Sequence, residues 1–515
     1  MERRNFVKSL AAGAALVPLL AEVAQALSDG LEALRADLAA TPDDAAYWAR
    51  VREEFTALEV VYLNSSTIGA TPRSIITALC GYLERLESYP RSYVFGGFPG
   101  ASIETVRQRA EEFLGASDDE VAITHNTTEG MNYVATGLKL QAGDEVLMTD
   151  QEHPGGTAGW QYRAKRDGIR IATMSLPTPV ESKEQILQLV EDHLTPNTRV
   201  CSFCHIMTET GLQMPLAEIA AITRPRGILL VCDGAHAPGM LQVDVKALGV
   251  DTYASSSHKW MLAPKGSGLL YISKEVQDRI QPVALSGGYG VYSGASGTPN
   301  TPHVLAHGDT MAFHNTIGRD RVERRVRQLQ AYLRARLTAI GATPLVPDVP
   351  ELSSGVTSYA FYSFRGRNSD NLYQELKKRG IDVKAEPRNS LRISTHIFNS
   401  EEEIDRLTDE LKSLRGVTSV GETGSALPKA VGLQQNYPNP FNASTQIRYE
   451  LPADGNVRLE ILDALGQIVD VPFRGWQTAG RHELLWSAGL FATGTYLCRL
   501  VADEETQTRK MELVR

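Results

Sequence analysis

The middle four hundred residues of the chain repeat one pattern: a short strand-like apolar run, then a loop, then a segment with helical period. The runs are residues 121–124, 145–148, 169–172, 200–203 and 228–232. This alternation is what a mainly parallel sheet covered by helices requires, so the pattern predicts an α/β fold. In such sheets ligands bind at the carboxyl ends of the strands, and we expect the functional residues there.

The size and charge of the chain limit its partners. At about 150 residues per domain, 515 residues predict two or three domains. Asp and Glu number 61 against 52 Lys and Arg, for a net charge of −9. This balance argues against nucleic acid or an anionic membrane as the main partner, and small metabolites fit better. The five cysteines are odd in number and scattered, which implies neither a disulfide framework nor a metal site.

The amino terminus has the features of an export signal. Residues 1–26 begin with Arg3 and Arg4, continue with an uncharged apolar run over 10–20, and end in small residues at Ala24 and Ala26. The run is too short to span a bilayer permanently. The paired arginines resemble the twin-arginine signal, which exports already folded proteins. The alternative is an ordinary amphipathic helix.

The carboxyl terminus changes character after a predicted linker at 421–435. Residues 446–451, 456–461 and 496–500 alternate as half-buried strands do, and glycines supply turns between them. Residues 436–515 therefore predict a small all-β sandwich. The stretches 436–442, 464–467 and 494–496 resemble the C-terminal sorting domain of the type IX secretion system. An immunoglobulin-like binding module is the alternative. Together the two ends predict export through the periplasm to the cell surface or outside.

Two residues of the central region are typical of pyridoxal phosphate chemistry. Asp233 ends a strand-like run, and Lys259 follows in a stretch rich in hydroxyls. A lysine amine can bind the cofactor aldehyde covalently, and a carboxylate can keep the ring nitrogen protonated so that the ring accepts electrons. The motifs of P-loop and Rossmann nucleotide enzymes are missing.

These residues stand in motifs that resemble aminotransferase class V, a family of fold-type I pyridoxal phosphate enzymes that includes cysteine desulfurases, selenocysteine lyases and isopenicillin N epimerase. The resemblance covers about residues 55–415. The segment from His258 to Trp260, with 263–268 after it, is most similar to the epimerase-like branch. The resemblance implies a large domain over 27–300, a smaller α+β domain over 301–420, and a homodimer with shared active sites.

The resemblance also implies a set of cofactor contacts. His153, which we group with Lys259 and Asp233 as catalytic, is expected to stack on the pyridine ring, and His236 to contact the ring oxygen. Thr208 stands near the ring where desulfurases commonly have asparagine. The phosphate is expected to bind Thr127, Thr128, Ser256 and His258, together with Thr298 from a second subunit. Thr127 and Thr128 open a helix, where the N-terminus favours anions, although a simple N-cap would serve equally well.

The remaining expectations concern the substrate and the reaction. Arg392 matches the arginine that holds an amino acid carboxylate through a two-pronged hydrogen bond. Lys259 is then expected to remove the α-proton. Thr208 in place of the desulfurase asparagine, and a missing cysteine, favour an epimerase-like or aminotransferase-like enzyme. Residues 377–386 lack the cysteine with which desulfurases attack sulfur, so the usual desulfurase chemistry is disfavoured. A C–S or C–Se lyase and a non-catalytic exported binding protein remain alternatives.

Overall fold

The computed structural model describes most of the chain. The described residues are 22–41, 44–91, 102–281, 298–361, 368–416, 428, 430–442, 444–453, 455–477, 479–488, 491–502 and 505–514. Most of the predicted signal (1–26) and of the predicted linker (421–435) lies outside them. Two compact units are present, Met1–Ala360 with Tyr373–Thr408, and Phe361–Leu372 with Asp409–Arg515. In the described residues no helix is both long and apolar enough to cross a membrane.

Thirteen helices are described in the chain, numbered here in order. They are 22–40 (α1), Asp44–Arg52 (α2), Arg73–Ser88 (α3), Ile103–Leu114 (α4), Thr127–Gly137 (α5), Pro154–Asp167 (α6), Lys183–His193 (α7), Leu216–Thr223 (α8), Val245–Leu248 (α9), Thr301–Ile317 (α10), Arg319–Ala339 (α11), Ser369–Lys378 (α12) and Glu401–Gly416 (α13).

Thirteen strands precede the carboxyl-terminal sandwich in the described residues. They are Val61–Tyr62 (β1), Val121–Thr124 (β2), Glu145–Thr149 (β3), Arg170–Met174 (β4), Thr198–Cys204 (β5), Leu229–Asp233 (β6), Thr252–Ser255 (β7), Gly268–Ile272 (β8), Thr343–Pro344 (β9), Val356–Ala360 (β10), Ile381–Asp382 (β11), Lys384–Glu386 (β12) and Ser390–Ser394 (β13).

The central sheet has seven strands in the order β2-β8-β7-β6-β5-β3-β4. All neighbours pair in parallel except β8, which is antiparallel to both β2 and β7. Every residue of β6 is buried, and alternate positions pack on opposite faces: Leu230 and Cys232 in one apolar cluster, Leu229 and Val231 in another. The five predicted runs are the strands β2 to β6, each within two residues, and the predicted α/β class is confirmed.

Helices α5 and α6 begin directly beyond the strand ends. Asn126 caps α5 by accepting a hydrogen bond from the Glu129 backbone N–H, and His153 caps α6 at the Gly155 N–H. Pro154, in the first turn of α6, gives up no hydrogen bond there because the first N–H groups of a helix have no partner in the helix. Both helix N-termini therefore lie at the carboxyl edge of the sheet.

A second, antiparallel sheet has the strand order β12-β13-β10-β9, and β1 pairs separately with β11. Arg392 is the third residue of β13, where it pairs with Ser358 on β10 and Lys384 on β12. The strand begins two residues before Arg392, because Ser390 and Leu391 already pair with β10.

The carboxyl-terminal sandwich consists of seven strands in the described residues. They are Gly432–Leu433 (β14), Ser444–Leu451 (β15), Gly455–Leu462 (β16), Ile468–Gln477 (β17), Gly480–Ser487 (β18), Gly494–Ala502 (β19) and Glu505–Leu513 (β20). They form two antiparallel sheets, β14-β15-β18 and β17-β16-β19-β20. Inward residues such as Ile447, Leu459 and Trp486 form one apolar core, as the alternation predicted.

Candidate active site

Lys259 lies in a tight turn just beyond β7. Its backbone N–H donates to the Ser256 carbonyl over 3.1 Å. The turn packs against Gly69, where a Cβ would lie only 1.9 Å from the Lys259 carbonyl oxygen, so this close approach requires glycine. Lys265 ties the two segments together by donating to the Gly69 carbonyl over 2.6 Å. Burial lowers the pKa of the Lys259 amine to about 8, although Asp233 opposes this shift.

Asp233 is the last residue of β6 and is 5% exposed. Its Oδ1 accepts a hydrogen bond from the Ala235 N–H over 3.0 Å. Its Oδ2 lies against α6 at Gly156, where a Cβ would stand 2.8 Å away. Burial raises the pKa of the carboxyl, and the Ala235 N–H and the charge of Lys259 counteract part of that shift.

His236 connects the lysine to the opposite wall of the site. Its Nε2 lies 3.1 Å from the Thr208 hydroxyl and 3.5 Å from the Lys259 amine. On the other side of the ring, the indole N–H of Trp260 donates to Nδ1 over 3.3 Å. The ring is buried, and burial, followed by the charge of Lys259, moves its pKa well below the usual range. His236 is therefore neutral in this site.

The predicted phosphate-binding residues meet at the start of α5. The Thr127 N–H donates to Ser256 Oγ over 3.0 Å, and the two hydroxyls lie 2.9 Å apart. Thr128 is exposed one residue further on, and its hydroxyl lies against Gly155, where a Cβ would be 2.4 Å away. His258 Nδ1 donates a hydrogen bond to the Ser267 carbonyl over 3.0 Å. Burial lowers the pKa of His258 to about 4.

His153 and Thr298, like Thr128, are predicted site residues with exposed side chains. His153 stands at the N-terminus of α6, where Nδ1 accepts from the Gly155 N–H over 3.0 Å. Its ring is exposed on one side; partial enclosure and the positive charges of Lys259, Lys384 and Arg392 lower its pKa to about 4. Thr298 is exposed shortly before α10, and residues 282–297 beside it lie outside the described residues.

Arg392 is only 2% exposed and is held from several sides. One terminal nitrogen donates to the Thr208 carbonyl over 3.2 Å, and the other donates to the Thr67 hydroxyl over 2.8 Å. The buried Nε has no hydrogen-bond partner among the described residues. Burial lowers the pKa of the guanidinium. Arg392 is thus joined through Thr208 to His236 and Lys259.

Glu386, a carboxylate of the chain itself, lies beside Arg392 and was not predicted from the sequence. Glu386 Oε1 lies 3.1 Å from a terminal nitrogen of Arg392 and 2.9 Å from the Lys384 amine. Lys384 pairs directly with Arg392 in the sheet, and Glu386 follows two residues later on the same face of β12. That spacing of two was the available signal. It could not be used without knowing that residues 384–386 form a strand.

A second missed carboxylate, Glu152, lies beneath the site. Its Oε2 accepts from the Cys204 N–H over 2.8 Å, and its Oε1 accepts from the Thr149 hydroxyl over 2.7 Å. Glu152 thereby joins the ends of β3 and β5 next to Asp233. Burial raises its pKa to about 7. Its position directly before His153 was the signal in the sequence.

The residues present fit pyridoxal 5'-phosphate. The buried hydroxyls of Ser255, Ser257 and Ser267, all within eight residues of Lys259, lack partners in the described part of the chain, and a phosphate has acceptors for such donors. The glycines at 155 and 156 leave open the space above Thr128 and Asp233. An enclosed amine, a strand-end carboxylate and a hydroxyl-rich helix N-terminus form a suitable set of contacts for this cofactor.

Comparison with known proteins identifies the family. Residues 61–407 match the model of aminotransferase class V, and residues 435–513 match the secretion system C-terminal sorting domain. The chain belongs to the aminotransferase class V family. It is a pyridoxal phosphate enzyme of fold-type I with a sorting domain at its carboxyl end, as the sequence predicted. The sorting domain indicates export through the type IX secretion system.

Individual relatives catalyse different reactions. The chain is 32% identical to an isopenicillin N epimerase of Streptomyces clavuligerus over 381 residues, covering 69% of this chain and 95% of that protein. It is 26% identical to a probable cysteine desulfurase of Methanothermobacter thermautotrophicus, covering 69% and 95%. A solved structure of a cystine C–S lyase with its product cysteine persulfide is 25% identical at a TM-score of 0.63, covering 68% of this chain and 97% of that one. Another structure of that lyase carries glycine covalently linked to its pyridoxal phosphate, at 26% identity and a TM-score of 0.63, covering 72% and 99%.

Proposed function

We propose that this chain removes the α-proton of an amino acid, in an epimerase-like or aminotransferase-like reaction. The supporting observation is the line of contacts from Lys259 through His236 and Thr208 to Arg392. A basic amine at one end and a guanidinium at the other suit a substrate whose α-carbon and carboxylate are one bond apart. The similarity to isopenicillin N epimerase supports the same class of chemistry.

The chain's residues divide into three groups around the cofactor. Lys259 would bind it covalently, Asp233 would serve the ring nitrogen, and His153 would stack on the ring. His236 and Thr208 would contact the ring oxygen. The phosphate would be held by Thr127, Thr128, Ser256, His258 and, from a second copy in a homodimer, Thr298. His258 Nδ1 donates to the Ser267 carbonyl, so in the neutral ring Nε2 carries no proton. Nε2 can donate to a phosphate oxygen only when the imidazole is protonated, and a phosphate dianion nearby would favour that charged form.

When bound, pyridoxal phosphate supplies an electron sink for the negative charge that develops at the substrate α-carbon. Arg392 holds the carboxylate and so orients the α-hydrogen toward Lys259. The Lys259 amine, with its pKa lowered by burial, takes that proton at Nζ. The Asp233 carboxylate would keep the ring nitrogen protonated. A proton supplied to the α-carbon from the face opposite Lys259 would give the epimer, whereas a proton supplied to the cofactor would give transamination.

Desulfurase chemistry of the usual kind is disfavoured by where the five cysteines lie. Cys201, Cys204 and Cys232 are buried in the central sheet, and burial raises the pKa of each thiol. Cys498 is buried in the sandwich, and Cys80 is exposed on α3. The stretch before Arg392 carries Lys384 and Glu386 instead. A lyase that releases sulfur or selenium directly needs no such thiolate, and it is the second candidate because of the similarity to the C–S lyase.

A panel of amino acids in deuterated water separates these reactions. We expect deuterium at the α-carbon, together with either the opposite enantiomer or a keto acid without sulfide. Sulfide and ammonia released with a keto acid from cysteine or cystine would instead identify the lyase. Absence of α-exchange with every amino acid, in protein that carries the cofactor, would contradict the proposal and favour the binding-protein alternative.

Replacement of Arg392 tests its role toward the substrate. We expect Arg392→Lys to raise KM by about 10- to 100-fold with a smaller change in kcat, because lysine keeps the charge but loses the planar fork. Arg199→Lys is the matched control, since Arg199 is exposed at the amino end of β5 and pairs with Asp144. Steady-state kinetics with the substrate found above give both constants. A change confined to kcat would contradict a carboxylate-binding role.

Glu386 is paired with Arg392 when no substrate is bound. Its replacement is therefore expected to change KM in the direction opposite to the replacement of Arg392. A substrate carboxylate must compete with Glu386, which can remain paired with Lys384 when it leaves Arg392. We expect Glu386→Gln to lower KM by about three- to ten-fold at constant kcat, because it removes a competitor that acts equally on ground and transition states. A higher KM in this variant would mean that Glu386 orients Arg392 for binding.

The export route is proposed as two steps, through a twin-arginine signal and then the type IX system. In this route the cofactor is attached in the cytoplasm and travels inside the folded dimer. The paired Arg3 and Arg4 support it, since that pathway exports folded proteins. Replacing both by lysine should abolish export of cofactor-bound protein, measured by absorbance and immunoblotting of the medium. Unchanged export of the loaded enzyme would rule out this first step.

A further inference from the structure

Trp260 directly follows Lys259 in the chain and is held rigidly in the core. Its side chain is fully buried, and a Cβ at Gly355 would lie only 3.0 Å from its ring. The His396 ring packs on the indole with centroids 5.2 Å apart. His396 Nδ1 accepts from the Ile397 N–H over 2.7 Å, so its proton is on Nε2, which donates to the Trp260 carbonyl over 2.8 Å. The indole N–H therefore has one fixed direction, toward His236.

This fixed donor determines which nitrogen of His236 carries the proton. An indole N–H can only donate, so Nδ1 of His236 must accept. In a neutral imidazole the single proton is then on Nε2. Nε2 faces the Thr208 hydroxyl at 3.1 Å and the Lys259 amine at 3.5 Å. The lysine thus meets an N–H group of the imidazole rather than a lone pair.

We infer that Trp260 is a positioning residue which, by fixing the His236 proton on Nε2, favours the neutral amine of Lys259 over its ammonium form. A neutral amine has a lone pair that can accept from Nε2–H, whereas an ammonium has only donors and is opposed by it. This inference rests on the proposed role of Lys259. In cofactor attachment the neutral amine nitrogen bonds to the aldehyde carbon, and both amine hydrogens leave with the aldehyde oxygen as water.

Other charged groups also face these two side chains, and the test must separate them from Trp260. Around Lys259, Asp233 and Cys204 favour the ammonium, while burial and the cations of Arg392 and Lys384 oppose it. The groups that disfavour a charged His236 are Lys259, Arg392 and Lys384, and also His153 when it is protonated. A Trp260 replacement leaves all of these groups in place. A shift caused by the loss of the indole N–H should therefore depend on His236 alone.

The experiment measures the rate at which pyridoxal phosphate attaches to full-length protein stripped of cofactor, as a function of pH. For the wild type we expect the rate to rise with pH through an inflection near pH 8 and to level off above it, because burial lowers the pKa of Lys259 to about 8. In Trp260→Phe, His236 can move its proton to Nδ1 and accept from the ammonium through Nε2. We expect the inflection to move up by about one pH unit, with attachment at pH 7 slower by about ten-fold.

A second background and a second variant make the result specific. In His236→Phe no polar atom remains for the indole N–H to orient, so adding Trp260→Phe should leave the inflection unchanged. Site-specific replacement of Trp260 by benzothienylalanine keeps the ring shape without the N–H, and it should reproduce the shift even if Trp260→Phe folds poorly. An unchanged inflection in the benzothienyl variant, or an equal shift in the His236→Phe background, would overturn the inference. If Lys259→Ala still binds the cofactor covalently, the proposed function fails instead.

Discussion

Lys259→Ala is expected to lose covalent cofactor and to lower kcat by about 10⁴-fold, because the same amine attaches the cofactor and moves the substrate proton. The purified variant should lack the yellow colour that borohydride removes from the wild type. After borohydride reduction of the wild type, peptide mass spectrometry should find the cofactor mass on residue 259. Lys259→Arg should behave like the alanine variant, since a guanidinium stays protonated and cannot form the link.

Lys265 provides a matched control in the same loop. Burial lowers the pKa of this amine as well, but its partners are the Gly69 carbonyl and the Thr71 hydroxyl. Lys265→Met should therefore keep the cofactor mass on residue 259. Cofactor mass on residue 265 in the wild type, or full colour in Lys259→Ala, would contradict the assignment of Lys259.

The residues that the sequence identified are those fixed by local structure. Asp233 ends β6, which was predicted as a strand, so a strand-end argument was enough to place it at the ligand-binding edge of the sheet. Lys259 was identified by its hydroxyl-rich stretch and by the resemblance, and the structure places it in a turn right after β7. The structure brings them together with His236, Thr208 and Arg392. Each of these stands in a stretch that resembles a motif of the family, which is why the resemblance could identify it.

The residues that the sequence did not identify depend on pairing between distant segments. Glu386 reaches Arg392 only because β12 and β13 are antiparallel neighbours in one register. In the sequence, Trp260 is indistinguishable from an ordinary core residue. Its N–H can donate to His236 only because the turn at Lys259 orients the indole toward that ring. Strand β8 was not predicted. The repeat of strand, loop and helix is typical of parallel strands and does not indicate that one strand runs antiparallel between β2 and β7. Hydrophobic period locates elements, but register decides which polar atoms meet.

Asp233→Asn is expected to lower kcat by on the order of 10²- to 10⁴-fold while leaving the covalent link intact. The amide cannot hold a proton on the ring nitrogen, so the electron sink is weakened. The remaining activity should rise as pH falls, because solution then supplies the proton that the carboxylate no longer holds. Asn can still accept the Ala235 N–H, which keeps the strand end in place.

The stability of the cofactor-free Asp233 variant distinguishes this role from a structural one. Burial raises the pKa of Asp233, so the carboxyl favours the folded state at low pH, and that contribution is lost as pH rises through the folded-state pKa. Above this range the asparagine variant should unfold at an equal or higher urea concentration than the wild type. Asp251→Asn is the control: Asp251 is a half-buried carboxyl that accepts the Leu230 N–H at the other end of β6, and burial raises its pKa as well. Its replacement should change stability in the same direction as Asp233→Asn but leave the pH profile of kcat unchanged. A Asp233→Asn variant with wild-type kcat at every pH would show that the ring nitrogen needs no proton from this residue.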